Sequence, residues 1–315
     1  MSNKTIAKFF AFVIPLASIC FIFSGCALIS PPDQNLAANS LFDPPKVIGN
    51  IRSPDVTESS GIAVSRCQNN VLWTHNDSGD DAYIFALNMT GESLGTWKVQ
   101  NAQNIDWEDI AAFKDKTGKC YLYIGEIGDN QTKRAEHAVY RVPEPVIKAS
   151  DATSDRKDPR FIENVEVLRF SYPDFNQDAE TIMVHPKTGD IFIVTKRVSG
   201  PAGVYRLLPD FDRDEVAKAE KVGEVSVPAI PNGFVTGGDI SPDGRHVVIC
   251  DYTRAYEWTM PDGGAFETIW SQVPASIELG KRSVGEAVSY NIDGTAIFAT
   301  SEKKNPPLIE VKRHK

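Results

Sequence analysis

Gly285-Glu286-Ala287-Val288-Ser289, then Asp293-Gly294, then Ala296-Ile297-Phe298-Ala299-Thr300-Ser301-Glu302, is the stretch from which the fold is read. An acidic residue opens a short apolar strand, Asp-Gly makes a tight turn, and a second apolar strand ends in polar residues. Asp-Gly between apolar runs signals a hairpin because Gly supplies the positive φ that such turns need. Four earlier segments repeat the phrase. Glu58 to Val64 is followed by Val71 to Asp77, and Trp107 to Ala112 by a Thr117-Gly118 turn and Tyr121 to Glu126. Ala179 to Val184 is followed by Thr188-Gly189 and Ile191 to Arg197, and Gly238 to Ser241 by Asp243-Gly244 and Val247 to Asp251.

Third strands are expected at 83–87, 138–142, 204–207, 255–258 and 308–312, and fourth strands at 94–99, 165–170, 221–227 and 266–270. The last copy has no fourth strand of its own, and Lys46 to Ile51 has the character to fill that place. A four-stranded antiparallel repeat closed by an N-terminal strand is the logic of an all-β, single-domain β-propeller, which protects its sheet edges by closing radially. Five blades are counted; a sixth requires a degenerate copy hidden between Pro143 and Asp178. Helical periodicity is scarce, and only Asp212 to Val222 is expected to hold a short helix.

Outside the repeat, the N-terminus is the most specific segment. Lys4 and Lys8 precede an apolar run from Phe9 to Phe23, shorter than the roughly 20 residues of a bilayer span, and Ser24-Gly25-Cys26 follows. This order predicts a secretory signal over residues 1–25. Phe23-Ser24-Gly25-Cys26 resembles a bacterial lipobox, with Phe where Leu is usual. The resemblance implies cleavage before Cys26, lipidation of Cys26 and a membrane-anchored, extracytoplasmic protein, at the periplasmic face of the outer membrane or the cell surface. An uncleaved N-terminal anchor is the alternative, and it also exports the domain. Residues 26–45, rich in Pro, Asn, Ser and Ala, read as a tether to a domain spanning 46–315. Cys67 and Cys120 occupy matching places in consecutive repeats, which opens a disulfide between them, whereas Cys250 reads as an inert core thiol.

Of the 315 residues 24% are charged, with a formal net charge of −9 and no clustered basic stretch, which argues against nucleic acid as a partner. First strands line a propeller's axis, so Glu58, Glu108, Glu180 and Glu286 are expected to converge at one mouth. Asn76, Asp77, Glu126, Asp129, Lys196, Arg197, Asp251 and Glu302 are expected around them. In the fourth copy Thr236 takes the Glu place and Asp239 lies three residues deeper. Carboxylates crowded together repel and need compensation. Calcium, which accepts 6–8 oxygens in flexible geometry, is the expected cofactor, with Glu58, Asp77, Glu108, Glu180, Asp239 and Glu286 as candidate ligands. Capping of strand ends is the bland alternative for each acid taken singly.

Lys196 and Arg197, with Arg254, Lys281 and Arg282, are expected on the same face and suit an anionic small molecule such as a phosphate ester. His75 is the candidate general base, against the commoner role of a hydrogen-bonded strand residue. Asp210 to Asp214 has the spacing that begins an EF-hand, but Glu215 holds the obligatory Gly place, and it reads as a solvated loop. No Walker, GxSxG or HExxH motif occurs.

Glu58-Ser59-Ser60-Gly61-Ile62-Ala63, Trp107-Glu108-Asp109-Ile110-Ala111 and Gly285-Glu286-Ala287-Val288 resemble the blade starts of phytase-like ("esterase-like") propellers. The blade order is similar to that of the calcium-activated nucleotidases. The resemblance, over roughly residues 50 to 312, implies axial calcium bound by Glu58, Glu108, Glu180 and Glu286, and often phosphoester hydrolysis. A metal-dependent hydrolase of phosphoesters or lactones is therefore one expectation. A non-catalytic ligand-binding or protein-interaction propeller with a structural metal is the other.

Overall fold

A computed structural model describes residues 41–229 and 231–314. The expected signal, the lipidation site at Cys26 and most of the tether lie outside the described residues. Five sheets are present among the described residues, four with their strands in sequence order from the axis outward and the fifth with the domain's first strand on its outer side. Blade 1 runs Ser59–Val64, Leu72–Asn76, Tyr83–Leu87, Ser93–Val99, and blade 2 runs Trp107–Lys114, Cys120–Glu126, His137–Pro143, Glu166–Ser171. Blade 3 is Ala179–Val184, Ile191–Thr195, Ala202–Leu207, Glu220–Val225, and blade 4 is Gly237–Ile240, His246–Cys250, Arg254–Thr259, Ala275–Glu278. Blade 5 is Ala287–Tyr290, Ala296–Thr300, Pro307–Lys312, completed on its outer side by Lys46–Asn50, antiparallel to Pro307–Lys312. The chain is a five-bladed β-propeller closed by its N-terminal strand.

Local chemistry accounts for the hairpins. Gly118, Gly189, Gly244 and Gly294 all have positive φ at the first turn of their blades, and blade 1 uses Asn70 in the same way. Asp115 braces its turn by accepting the N–H groups of Thr117 and Lys119 on Oδ1 at 2.8 and 2.9 Å. Buried side chains fall into five apolar clusters, each filled from two neighbouring blades, with blade 5 meeting blade 1 through Ile62, Phe85, Phe298 and Leu308. The core is thus divided among the five gaps, and each blade depends on both neighbours for burial.

The count of five blades stands, and two expectations are corrected. The stretch 143–178 holds no sixth blade: Arg160–Ile162 lies parallel to Trp97–Val99 as an extra outer strand of blade 1. Residues 212–222 form no helix, because Ala217–Lys218 pairs in parallel with Phe170–Ser171 and covers the outer edge of blade 2. Phe266–Ser271 is a 3₁₀ turn, and the fourth strand of blade 4 is Ala275–Glu278. Phe266, Ile269 and Trp270 follow helical spacing, which lets Ile269 and Trp270 fill the gap between blades 3 and 4.

Two further features tie the ring together. Cys67 and Cys120 form a disulfide from blade 1 to blade 2, with a Cα–Cα distance of 6.2 Å. Packing also begins before residue 46: Phe42 is buried and bridged to Arg313, whose guanidinium lies 4.9 Å from the Phe42 ring centroid.

Candidate metal centre

The acidic mouth is built by irregularities in the inner strands. In blade 2 Trp107 pairs with Glu126 and Asp109 with Gly125, so Glu108 is the extra residue of a bulge. In blade 3 Ala179 pairs with Thr195 and Thr181 with Val194, which gives Glu180 the same role. A bulge turns a side chain out of the regular pleat, and bulges concentrate where sheets meet ligands. The result is two groups of carboxylates, Asp77, Asp106 and Glu108, and Glu108, Asp178 and Glu180, whose ligand oxygens within each group lie within 4.8 Å of one another. Glu108 belongs to both. The approach is close enough that a Cβ at Gly128 would stand 2.1 Å from Glu108 Oε1 and 2.6 Å from Asp106 Cγ. A side chain at 128 would push those carboxylates out of place.

These acids push one another toward the protonated form. Burial, followed by the charge of Asp77, lifts Asp106 to about 6. Burial and the neighbouring Glu180 carboxylate raise Glu108 well above its ordinary value. Glu180 is raised to about 7, by burial first, against the opposing pull of Lys196. On the blade 5 side, burial and a hydrogen bond with Glu302 raise Glu286 to about 10. Two cations meet this group among the described residues: Arg134, paired with Glu126 at 2.7 Å and opposing the rise of Asp106, and Lys196, whose Nζ donates to Glu180 Oε1 at 2.8 Å and lies 3.2 Å from Tyr252 Oη. Burial works against the Lys196 charge, but the Glu180 carboxylate outweighs it and raises the ammonium's pKa. Phe234 and Tyr252 flank the same ammonium, with ring centroids at 5.0 and 5.4 Å.

The sequence-predicted residues divide. Asp77, Glu108 and Glu180 come together, with Glu286 electrostatically coupled to Glu180. Glu58 is exposed, strand pairing in blade 1 placing its irregularity between Ser59 and Ile62, beyond Glu58; yet it stays close to the cluster, since Asp77, raised first by its own burial, is raised further by the Glu58 charge. Asp239 is held elsewhere: its Oδ2 takes Arg66 Nη2 at 2.8 Å, Ser289 Oγ at 2.9 Å and the Tyr290 N–H at 2.9 Å. Thr236, in the Glu place, is buried and donates to Gly285 O at 2.9 Å, linking blades 4 and 5.

His75 is fully buried between blades 1 and 2, edge-on to Trp107, with Nδ1 2.9 Å from Asn76 O. Burial lowers it to about 4, so the ring is neutral. Asn76, Glu126 and Asp251 cap strand ends, accepting N–H groups of Thr57, Ile105 and Thr253 respectively. Arg254 pairs with Glu278, and Arg282 donates to Thr300 O and Asp251 O, so neither is available at the mouth. Arg197 differs: its guanidinium lies 5.5 Å from the centroid of the exposed Phe175 ring and makes no ion pair among the described residues.

Asp106 and Asp178 were not anticipated from sequence. Their signal is Asp-x-Glu, which occurs at 106–108 and again at 178–180. The clustered oxygens, with neither His nor Cys among them, fit a hard cation such as calcium. The other three-residue group, Cys67, Cys120 and Glu144, has its sulfurs consumed by the disulfide. Among the described residues no helix is long and apolar enough to cross a membrane. The chain matches no protein-family model and no curated protein, and what is shown of its kinship is the fold alone: a five-bladed β-propeller.

Proposed function

We propose that the acidic mouth is a calcium site and that the protein handles an anionic small molecule there, a phosphate ester being the class the charges suit. The observation that carries this is the position of Glu108 in both carboxylate groups, in a mouth whose cations among the described residues, Lys196 and Arg134, are each engaged by a carboxylate and outnumbered by the acids. Protons or a cation must supply the rest. Calcium would supply charge neutralisation and Lewis acidity. Asp77, Asp106, Glu108, Asp178 and Glu180 would hold it, and Arg197, free of any carboxylate, would meet the ligand's negative group. The likeness to phytase-like and nucleotidase-like propellers points the same way.

Whether a reaction follows is a separate matter, and one observation favours a purely binding role. His75 is sealed from solvent and Lys196 is engaged by Glu180, which leaves the cluster's own carboxyls as the acids and bases within reach. Elemental analysis of the purified domain tests the metal, with Glu108→Gln expected to lose it. A panel of phosphoesters and lactones, assayed with and without calcium, separates hydrolase from binder. Absence of bound calcium in the wild type removes both readings.

We also infer that the chain is exported and anchored through Cys26. Besides the N-terminal sequence, the Cys67–Cys120 disulfide supports this, since such bonds persist in oxidising compartments. A Cys26→Ala variant is expected to leave the membrane fraction; continued membrane association after that change would sink the anchor.

A further inference from the structure

Beneath the acidic mouth, one side chain ties three blades together. Asp109 is fully buried. Its Oδ1 accepts the Ile110 N–H of its own strand at 2.8 Å, and its Oδ2 accepts the N–H of Ile182 in blade 3 at 3.1 Å and of Gly238 in blade 4 at 3.4 Å. Blade 1 presses on the same residue, since a Cβ at Gly61 would lie 2.7 Å from Asp109 Cα. A carboxyl group this deep is costly unless its acceptor capacity is used, and here backbone donors use it.

The position of these bonds matters more than their number. Asp109 directly follows Glu108, and Ile182 lies two residues beyond Glu180. The link from Asp109 to Ile182 therefore joins the two backbones that carry the central glutamates. It does so where both inner strands bulge, the point at which each ladder is least able to hold its own strand in place. Resting on the reading of the mouth as a calcium site, we infer that Asp109 is a positioning residue that fixes the separation of Glu108 and Glu180 without touching the ion.

Asp239 provides a matched comparison. It too is a buried acid bonded between blades, but its partners are Arg66, Ser289 and Tyr290. Calcium binding by titration calorimetry, and inner-sphere water counts from terbium luminescence lifetimes, should be measured on wild type, Asp109→Asn and Asp239→Asn, each well below its melting temperature. In Asp109→Asn an amide replaces an oxygen that backbone N–H groups require. Affinity is expected to fall about ten- to hundredfold, as when a metal ligand's outer support is lost, with more water on the bound terbium. Asp239→Asn should lose stability yet bind as wild type does. Should Asp109→Asn not fold, Asp109→Ser, too short to reach Ile182, is read in its place. Undiminished affinity in the Asp109 variant overturns the inference, as does an equal loss in Asp239→Asn, which would mean general softening. A wild type that binds no calcium overturns the reading of the mouth and this inference with it.

Discussion

Lys196 and Glu180 form a salt bridge at 2.8 Å with only 12% and 4% of their side chains exposed, at the centre of a group of acids. Removing one partner of a buried pair leaves the other uncompensated. Lys196→Met is therefore expected to cost about 3 kcal/mol of calcium-free stability, read by urea unfolding at pH 7. Calcium should restore more of the loss than it adds to wild type, because the cation replaces the missing charge. Equal calcium gains in the two proteins would separate Lys196 from the metal site.

The acids make calcium binding depend on pH. A carboxyl whose pKa is raised in the folded state contributes stability while protonated and loses that contribution as pH rises through its folded value. For Asp106 and Glu180 those values are about 6 and about 7. Calcium competes with the same protons. The rise in melting temperature on adding calcium should accordingly be small at pH 5.5 and grow toward pH 8. A calcium gain that is flat across this window would contradict the assignment of these carboxyls as ligands.

His137 contributes with the opposite sign. Burial, aided by the Arg134 charge, lowers it to about 4. Neither ring nitrogen has a hydrogen-bond partner, and the ring packs on Phe170 and Tyr172. The unfolded chain binds a proton from about pH 6.5 downward while the folded one resists until about 4, so stability falls with acidification by up to about 1.4 kcal/mol per pH unit. His137→Phe should be neutral or stabilising at pH 7 and should flatten the slope between pH 6.5 and 4.5. Comparing variant and wild type at each pH cancels the contribution that the mouth's carboxyls make to both.

The disulfide closes a loop with a sequence separation of 53 residues. Chain-entropy reasoning places its stabilisation at roughly 4 kcal/mol. A Cys67→Ser, Cys120→Ser double variant should lose that much in a two-state urea titration while keeping its calcium affinity, since the bond lies in the turns away from the mouth. A parallel loss of affinity would show that the site depends on the clamp between blades 1 and 2.

How much of this was legible in the sequence differs by scale. Turns such as Asp293-Gly294 announce themselves because their backbone demands glycine, and the strands around them because they are short apolar runs, buried at every position. Phe266 to Trp270 misled as a strand through apolar content, although the spacing of its buried residues is helical. Residues 217 and 218 sit in a stretch of helix-favouring composition, yet the open edge of blade 2 captures them. At the site, Glu108, Glu180 and Glu286 could be found from their recurrence. Glu58 could not be told from them, because its displacement depends on where blade 1 departs from regular pairing, and no residue type encodes that. Asp109 was hidden for another reason: its partners are backbone N–H groups of distant strands, to which sequence gives no clue.

Lys46–Asn50 emerges from the ribosome before the other strands of the five blades, and its partner Pro307–Lys312 emerges after all of them. Until then the first strand has nothing to pair with, the gap between the fifth and first blades stands open, and Phe42 lacks Arg313. The circle can only be completed once residues 307–312 have been made, and loss of that one strand would also strip the first strand of its partner.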